Sequence, residues 1–469
     1  MTTLDAFHLP GLEERDVAGW DVREYADGAA RLRFPVLAPG ALGRLVDGLR
    51  EARAAWLADR PVAEIVAAID GAARRLSDPD DPARRLAEHA LPAVTGYSPP
   101  MVRLILDRMA ADWRKAALER LLRAELDDVG ALDGFRTRAE SGTLVRALGP
   151  ELAFHVFAGN VPGVAVTSLV RTLLVKAATL GKAASGDPLL PALFARTLAE
   201  VEPGLGACLA VTYWPGGSVG IEREALDAAD AVVVYGGREV VESVRVRAPA
   251  GTRLVEHGPR LSFAIVAREA LEPDAVPATA AAAARAVATF DQQGCVSPHV
   301  VYVEGGGASS PRDFAAALAG AMRDVEKELP RGRLDAAEAA AIQQARGAAE
   351  FAALGGRGVE LFASEGTAFT VIYDPDPAFD LSCLNRVVRV KPLDHIEQAA
   401  ELVRPYARDL QTVGIAAPAA RRRAAAERLA RVGASRITTL DRMPWPPATW
   451  HHDGRDPLRE LIRWVDLED

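Results

Sequence analysis

Between residues 151 and 258 the hydrophobic positions form short runs of strand length that alternate with stretches at helical spacing. The predicted strands are 152–158, 179–183, 207–213, 231–235 and 253–256, and the predicted helices are 163–176, 189–202, 221–228 and 238–246. Repeated alternation of strand and helix is typical of a doubly wound parallel sheet with helices on both faces. Such sheets bind ligands at the carboxyl ends of their strands, so candidate site residues are expected there.

The rest of the chain divides into three further regions. Residues 1–150 contain a strand-like stretch at 30–37 and then mostly helical spacing, which predicts a helical region that covers the next domain. A second α/β pattern occupies 259–444, and an aromatic, charged tail at 445–469 is expected to hold a helix near 457–464. The predicted strands of the second pattern are 262–266, 300–303, 359–362, 368–373 and 387–390, and its predicted helices are 275–293, 311–328, 336–353 and 394–406.

Composition and charge exclude several classes of protein. Lys and Arg number 55 against 64 Asp and Glu, and this net charge of −9, spread without long runs, argues against a nucleic-acid or anionic-membrane surface. Apolar runs are interrupted well before the roughly 20 residues that a membrane span needs. The N-terminus lacks a basic-then-apolar signal pattern, so we expect a cytoplasmic protein. Three cysteines in 469 residues are too few for a disulfide framework.

Two polar residues follow neighbouring predicted strands. Asn160, within Ala-Gly-Asn-Val-Pro-Gly at 158–163, could aim its side-chain amide at a developing oxyanion, or could be an ordinary turn residue. Lys182 ends the next strand and could hold the ribose or phosphate of a nucleotide, or could be a solvated surface residue. Only five of the 55 basic residues are lysines, so a lysine at this position suggests a specific need.

Three other positions at strand ends could bind or react. Gly236 and Gly237 precede a predicted helix, where glycines and the helix N-terminus suit a phosphate, although a simple turn fits equally. Glu256 ends the last strand of the first sheet and could serve as a general base, or could be an exposed acidic residue. The eight histidines show no metal-binding spacing; His451 and His452, next to Asp453, could ligate a metal only with distant partners, and we expect no metal.

Cys295 is the most distinctive residue of the sequence. It lies in Asp-Gln-Gln-Gly-Cys-Val-Ser-Pro at 291–298, between a predicted helix and a predicted strand. The preceding glycine allows a tight turn that exposes the thiol and points its own backbone N–H into the site. A thiolate is a potent nucleophile near neutral pH. The alternative is a buried, unreactive cysteine, which suits Cys208, because it lies in the apolar strand region 205–211, and also suits Cys383.

The order of these residues resembles that of the aldehyde dehydrogenase superfamily, with Asn160, Lys182, Glu256 and Cys295 in sequence. More narrowly, the chain resembles the LuxC-type acyl-CoA reductases, the fatty acyl reductase family of bacterial luminescence operons. The resemblance spans about residues 95–469. The segments that carry it are Thr-Gly-Tyr-Ser at 95–98, His-Val-Phe-Ala-Gly-Asn-Val-Pro at 155–162, Lys-Ala-Ala-Ser-Gly-Asp-Pro at 182–188, Tyr-Trp-Pro-Gly at 213–216, the cysteine segment at 291–298 and Asp-Gly at 453–454.

This resemblance implies an aldehyde dehydrogenase-like fold with a nucleotide-binding domain at 151–258 and a catalytic domain at 259–444. It also implies a reductase in which Cys295 takes the acyl group from acyl-CoA, a nicotinamide hydride reduces the acyl-cysteine, and the aldehyde leaves. Asn160 would stabilise the oxyanion, and Lys182 would bind the cofactor ribose. Ser185 stands where relatives that prefer NAD often place a Glu, so NADPH is the expected cofactor. The resemblance is compatible with a homo-oligomer and with a protein partner that transfers the acyl group or accepts the aldehyde.

The sequence departs from the superfamily in two respects. The Glu-x-x-Phe-Gly-Pro segment that positions the nicotinamide ribose is not visible, and Leu-Ser-Cys-Leu-Asn-Arg stands near its place at 381–386. Glu256 matches the general base, but reduction of a thioester needs no activated water. Two alternatives stay open: an enzyme of the same fold that acts on a free aldehyde or an acyl phosphate, and a catalytically silent partner subunit.

Overall fold

The computed structural model describes residues 3–138 and 141–468. The strands are β1 (Leu4–Asp5), β2 (Val17–Tyr25), β3 (Ala30–Leu37), β4 (Arg136–Thr137), β5 (Leu144–Leu148), β6 (Leu152–Val156), β7 (Ala178–Lys182), β8 (Leu209–Thr212), β9 (Ala231–Tyr235), β10 (Arg253–His257), β11 (Leu261–Val266), β12 (Pro298–Glu304), β13 (Glu360–Ala363), β14 (Thr370–Tyr373), β15 (Val387–Leu393), β16 (Leu410–Ala416), β17 (Arg436–Thr438) and β18 (Arg463–Leu467). The helices are α1 (Ala41–Ala52), α2 (Val62–Ser77), α3 (Pro82–Thr95), α4 (Pro99–Asp112), α5 (Lys115–Glu125), α6 (Val164–Leu174), α7 (Leu189–Val201), α8 (Pro203–Gly206), α9 (Val219–Ala228), α10 (Arg238–Arg247), α11 (Val276–Ala288), α12 (Pro311–Glu328), α13 (Ala336–Leu354), α14 (Ala399–Leu402) and α15 (Ala419–Val432).

A five-stranded parallel sheet has the strand order β10-β9-β6-β7-β8. Every residue of β6 and of β9 is buried. This is expected where helices cover both faces of a parallel sheet. One face packs on a large core that includes α2, α4, α6 and α7, and the other packs on α1, α9 and α10. The predicted doubly wound sheet is therefore confirmed.

A seven-stranded sheet has the order β13-β14-β15-β12-β11-β16-β17, and only its edge strand β13 runs antiparallel to its neighbour. Helices α11 and α12 cover one face, and α14 and α15 cover the other. The linker at 258–260 joins β10 of the first sheet directly to β11 of the second. The two sheets thus meet near the carboxyl end of β10.

Two small sheets complete the fold. β1, β3 and β2 form an N-terminal sheet beside the helical region. The C-terminal strand β18 pairs antiparallel with β5, so the end of the chain returns to the region just before the first large sheet. In the part of the chain that the structure describes, no helix combines the length and the hydropathy needed to span a bilayer.

Several predicted elements were wrong or incomplete. The helix expected near 457–464 is a single 3-10 turn, Arg459–Leu461, followed by β18, because this segment pairs with β5. The helix expected at 275–293 ends at Ala288, where the backbone turns left-handed. The stretch 394–406 forms the four-residue helix α14 between two 3-10 turns rather than one long helix. The strands β2, β5 and β16 and the helix α15 were not predicted; β16 buries Gln411 and Thr412, which breaks its apolar pattern.

Candidate active site

The carboxyl ends of the five-stranded sheet form one wall of the site. The next strand in sequence, β7, pairs with one side of β6, and the later strand β9 pairs with the other side. Loops that follow two such strands diverge and open a crevice at the sheet edge. Asn160 follows β6, while Gly236 and Gly237 follow β9 and precede α10. The sheet topology therefore brings these three predicted residues to one crevice.

The loop that carries Asn160 packs backbone against backbone with the loop that carries Ser185. A Cβ added to Gly159 would lie 2.8 Å from the Gly186 Cα, and one added to Gly186 would lie 2.7 Å from the Gly159 carbonyl oxygen. Both positions exclude a side chain. The close approach fixes the two loops relative to each other.

Cys295 lies in the turn between α11 and β12, after a segment of unusual backbone. Phe290, Asp291 and Gln292 have φ angles of 57°, 48° and 66°. Left-handed conformations of residues other than glycine cost about 1–3 kcal/mol each, so surrounding contacts must stabilise them. Phe290 packs its ring against the Trp445 ring at 4.9 Å between centroids. The turn that presents the thiol is thus held by tertiary packing.

A second left-handed turn, at 384–386, supports the first. The Arg386 side chain is fully buried, and its Nη2 lies 2.7 Å from Asp291 Oδ1. Gln292 Nε2 donates to the Val387 carbonyl oxygen at 2.9 Å. The sequence at 381–386 lacks the motif that positions the nicotinamide ribose in the superfamily. In the structure this segment packs against the turn that precedes Cys295.

The Cys295 side chain is half-buried beside both sheets. Burial, followed by the negative charge of Asp453, raises the pKa of the thiol to about 11. A hydrogen bond from Gln411, the residue's own backbone N–H and the charge of Arg260 act in the opposite direction. Ser262 Oγ donates to the Cys295 carbonyl oxygen at 2.6 Å. This hydrogen bond ties the backbone at Cys295 to β11.

The Asn160 side chain reaches the cysteine loop. Its Nδ2 donates to the Gln293 carbonyl oxygen at 2.7 Å. A primary amide has two N–H groups, so a second donor is left for another acceptor. The Tyr97 hydroxyl lies 2.5 Å from the Asn160 carbonyl oxygen and 3.1 Å from that of Phe290. Tyr97 was not predicted as a site residue, although it belongs to the Thr-Gly-Tyr-Ser segment of the resemblance.

Lys182 does not extend into solvent. Its Nζ lies 3.6 Å from Glu222 Oε1, and Arg247 Nη1 lies 2.7 Å from Glu222 Oε2. Burial lowers the pKa of Lys182, while Glu222 raises it. Ser185 is exposed in the turn after β7, and its carbonyl oxygen accepts a hydrogen bond from the Tyr25 hydroxyl at 3.3 Å. Glu222 was missed because it lies on α9, 40 residues beyond Lys182.

Glu256 is not directed towards the thiol. Its two carboxylate oxygens accept from Arg245 at 2.7 and 2.6 Å. Successive side chains of a strand point to opposite faces, and the neighbouring His257 belongs to the face that meets the cysteine region. The structure therefore places Glu256 on the face of β10 opposite to that of His257, where it pairs with Arg245.

His257 instead meets a residue from the end of the chain. Its Nδ1 lies 2.9 Å from Asp453 Oδ2, and Arg260 Nε lies 2.9 Å from Asp453 Oδ1. Gln411 Nε2 donates to the same Oδ1 at 2.6 Å. Sequence analysis did not place Asp453 in the site; the Asp-Gly pair near the C-terminus was its only signal.

His257, His452 and Asp453 also have potential metal-ligand atoms within 4.8 Å of one another. The two imidazole rings are stacked, with centroids 4.3 Å apart. Both oxygens of Asp453 already accept hydrogen bonds from protein groups. The arrangement suits a hydrogen-bonded cluster better than a metal centre.

The two α/β units together have the aldehyde dehydrogenase fold. Known structures of that fold superpose on the chain: the aldehyde dehydrogenase KauB from Pseudomonas aeruginosa has a TM-score of 0.77 at 16% identity, covering 98% of this chain and 95% of its own. The NAD-dependent benzaldehyde dehydrogenase from Corynebacterium glutamicum has a TM-score of 0.74 at 16% identity, covering 99% of each chain. The fold inferred from the resemblance is thus confirmed.

The chain belongs to the acyl-CoA reductase (LuxC) family, whose profile matches residues 57–464. It is therefore an aldehyde-forming oxidoreductase of the acyl reductase kind. Related proteins named long-chain acyl-protein thioester reductase are 28% identical over 396 residues in Photorhabdus luminescens and 27% identical over 394 residues in Aliivibrio fischeri. Each alignment covers 82% of this chain and 78% of the relative.

Proposed function

We propose that the chain reduces a fatty acyl thioester, with acyl-CoA as the donor, to the aldehyde through an acyl-cysteine on Cys295, using NADPH. The observation that carries the proposal is the position of Cys295, on a turn that Asn160 ties to the crevice of the nucleotide-type sheet. The relatives act, by name, on acyl groups held on proteins. Because acyl-CoA and an acyl-cysteine of another protein are both thioesters, the same first step serves either donor.

In the first half-reaction the Cys295 sulfur bonds to the carbonyl carbon, and the C=O electron pair moves onto oxygen. The backbone N–H of Cys295 and the free N–H of Asn160 are the donors for that oxyanion. Collapse of the adduct breaks the bond to the CoA sulfur and leaves an acyl-cysteine. The proton that the Cys295 thiol loses balances the one that the CoA thiolate takes up.

The second half-reaction uses the same donors. A nicotinamide nucleotide, when bound in the crevice, would supply the hydride that reduces the acyl carbonyl to the aldehyde level. Asn160 and the Cys295 N–H again hold the oxyanion, and cleavage of the carbon–sulfur bond releases the aldehyde and restores the thiolate. Neither half-reaction requires a base to activate water, which is consistent with Glu256 being paired with Arg245. That pairing also disfavours oxidation of a free aldehyde, since hydrolysis of the acyl-enzyme needs such a base.

The residues of the crevice fit a nicotinamide dinucleotide. Gly237 begins the ten-residue helix α10, and a Cβ at this position would meet only open space, so the backbone there can approach a phosphate. Lys182 is mostly buried at the end of β7, where it would hold the adenosine ribose. With Glu222 and Arg247 it forms a group of one anion and two cations, and that excess of positive charge favours the 2′-phosphate of NADPH.

Mass spectrometry of the intact protein after mixing with acyl-CoAs, without a reductant, tests this function. We expect a mass increase equal to one acyl group, located on the peptide that contains Cys295 and removed when NADPH is added. A series of chain lengths reports the preferred donor, and an acyl group carried on a protein tests the other source of thioester. Absence of an adduct with every donor, or an adduct on Cys208 or Cys383 instead, would refute the proposal.

A change at Ser185 is expected to alter the choice of cofactor. We expect the wild type to have a higher kcat/KM for NADPH than for NADH. Ser185→Glu should reduce that ratio by about tenfold or more, because a carboxylate beside the 2′-phosphate repels it, and tenfold corresponds to about 1.4 kcal/mol. Steady-state kinetics at one saturating acyl-CoA, with each cofactor varied, measures the ratio.

Two further variants test the roles of Glu222 and Lys182 in cofactor binding. Glu222→Gln removes the anion between Lys182 and Arg247 and should shift the ratio further towards NADPH. Lys182→Ala should weaken both cofactors, because both contain the adenosine ribose. A wild type that prefers NADH, or a ratio unchanged by Ser185→Glu, would show that Ser185 does not lie beside the 2′ position.

A further inference from the structure

The helical N-terminal region contributes a side chain to the candidate active site. Tyr97 lies in the turn between α3 and α4, is only 6% exposed, and extends its hydroxyl to two backbone carbonyl oxygens from different parts of the chain. One belongs to Asn160, at 2.5 Å, and the other to Phe290, at 3.1 Å. The hydroxyl therefore lies between the loop that carries Asn160 and the turn that leads to Cys295.

The hydroxyl of Tyr97 donates mainly to the Asn160 carbonyl oxygen. A phenol has a single O–H donor, and the Asn160 oxygen is the nearer of its two acceptors. The Phe290 oxygen already accepts from the Gln293 backbone N–H at 2.7 Å. Burial raises the pKa of Tyr97 well above its ordinary value, so the hydroxyl keeps its proton at neutral pH. It is thus a permanent donor to the Asn160 loop.

The backbone that carries Tyr97 is held by a separate set of contacts. Gly96 follows α3 with a φ of 83°, and its carbonyl oxygen accepts from the Arg333 backbone N–H at 2.7 Å. The neighbouring Gly332 donates its backbone N–H to Asp291 Oδ2 at 3.0 Å, and a Cβ added to Gly332 would lie 2.9 Å from the Tyr97 Cα. Residues 332–333 therefore join the Tyr97 turn to the cysteine turn without the help of the hydroxyl.

The Asn160 amide needs a fixed main chain beneath it. Its Nδ2 donates to the Gln293 carbonyl oxygen, but a side chain that rotates about two bonds is placed accurately only if its own backbone is held. The Tyr97 hydroxyl holds the carbonyl group of that same residue. An oxyanion donor must be placed before the charge develops, and a misplacement of about 1 Å can cost about 100-fold in rate.

We propose that Tyr97 is a positioning residue for the oxyanion site: its hydroxyl holds the main chain of Asn160 against the turn of Cys295 and so fixes the asparagine donor relative to the reacting sulfur. The N-terminal region is then part of the reaction centre as well as a cover for the first α/β unit. This inference rests on the proposed function for the roles of Asn160 and Cys295.

Tyr97→Phe removes one oxygen atom and leaves the aromatic ring in the core. Acyl transfer from acyl-CoA to Cys295, followed by intact-protein mass spectrometry in a single turnover, should slow by about tenfold to 100-fold, because the asparagine donor is displaced. The hydroxyl contacts backbone oxygens, so the KM for acyl-CoA and that for NADPH should stay within about twofold of the wild type while kcat falls.

Two measurements distinguish this role from a contribution to stability alone. Alkylation of Cys295 by iodoacetamide forms no oxyanion, so its rate in Tyr97→Phe should stay within about twofold of the wild type. In an Asn160→Ala background, Tyr97→Phe should change acyl transfer by less than about twofold, because the amide that it positions is already absent. A hydroxyl that only stabilised the fold would slow acyl transfer equally in both backgrounds.

Tyr302→Phe is the matched control. The Tyr302 ring is fully buried, and its hydroxyl donates to the Pro377 carbonyl oxygen at 3.0 Å, so the substitution deletes the same kind of hydrogen bond in a different loop. We expect it to lower the melting temperature about as much as Tyr97→Phe does and to leave acyl transfer near that of the wild type.

Hydrogen–deuterium exchange tests the same contact without relying on the reaction. Tyr97→Phe should accelerate exchange severalfold in a peptide that covers 157–164 and leave 374–380 unchanged, and Tyr302→Phe should do the reverse. Normal acyl transfer in Tyr97→Phe, equal losses in the wild-type and Asn160→Ala backgrounds, or unchanged exchange at 157–164 would overturn the inference. Absence of an acyl adduct in the wild type would refute the proposed function, and the exchange result would still decide whether Tyr97 holds the loop.

Discussion

Cys295→Ala is expected to abolish both the acyl adduct and the formation of aldehyde. Alanine occupies less volume than cysteine at a half-buried position, so the fold should survive while the attacking sulfur is lost. Removal of a covalent nucleophile typically lowers turnover by at least about 1,000-fold. NADPH-dependent aldehyde formation and intact-protein mass spectrometry, measured on the same preparation, provide the two readouts.

The other two cysteines supply matched controls. Cys208 is fully buried, its Sγ lies 3.3 Å from the Gly204 carbonyl oxygen, and burial raises its pKa to about 12. Cys383 is half-buried, and burial raises its pKa as well. Cys208→Ala and Cys383→Ala should therefore retain adduct and turnover. Aldehyde formation by the Cys295→Ala protein would rule out a cysteine-linked mechanism at this position.

Asn160→Ala is expected to lower kcat by about 100-fold or more, the usual loss when one oxyanion donor is removed. The same substitution deletes the hydrogen bond from Nδ2 to the Gln293 carbonyl oxygen. That bond lies at an exposed position, and a typical hydrogen bond contributes about 1 kcal/mol of stability. The melting temperature should therefore fall by no more than about 4 °C.

The oxyanion role of Asn160 can be separated from its role in holding the loop. Asn160→Asp has nearly the same shape but has no N–H donor when ionised, so it should be as inactive as the alanine variant. Iodoacetamide should still alkylate Cys295 in both variants if the loop stays in place. A large loss of stability with a proportionate loss of activity would instead identify Asn160 as a turn residue.

Local pattern was sufficient to predict strands and helices in both α/β units. The strand expected at 231–235 coincides with β9, and the helix expected at 311–328 coincides with α12. In both, the hydrophobic positions follow a single local period that the sequence alone displays. The strand ends that carry Asn160 and Lys182 could be located for the same reason, since the carboxyl ends of parallel strands share one edge.

Contacts between segments far apart in the sequence determined the local structures that hydrophobic periodicity could not predict. Residues 290–292 read as a continuation of α11, but the pairing of Asp291 with Arg386 stabilises a left-handed turn there. The tail reads as helical, yet residues 463–467 complete a sheet with β5. In each case the partner lies roughly 95 or more residues away, beyond the reach of any local periodicity.

The sequence by itself determined the parallel α/β architecture, the family, and the residue types at the strand ends, because those depend on local periodicity and on short motifs. Only the tertiary structure decided which of those side chains meet. It pairs Glu256 with Arg245, sets Glu222 beside Lys182, and brings Asp453 from the C-terminal segment to His257. The physical reason is that packing decides which face of a strand is directed into the site and where the C-terminal segment lies. That packing joins surfaces formed by residues far apart in the chain, so no local pattern displays it.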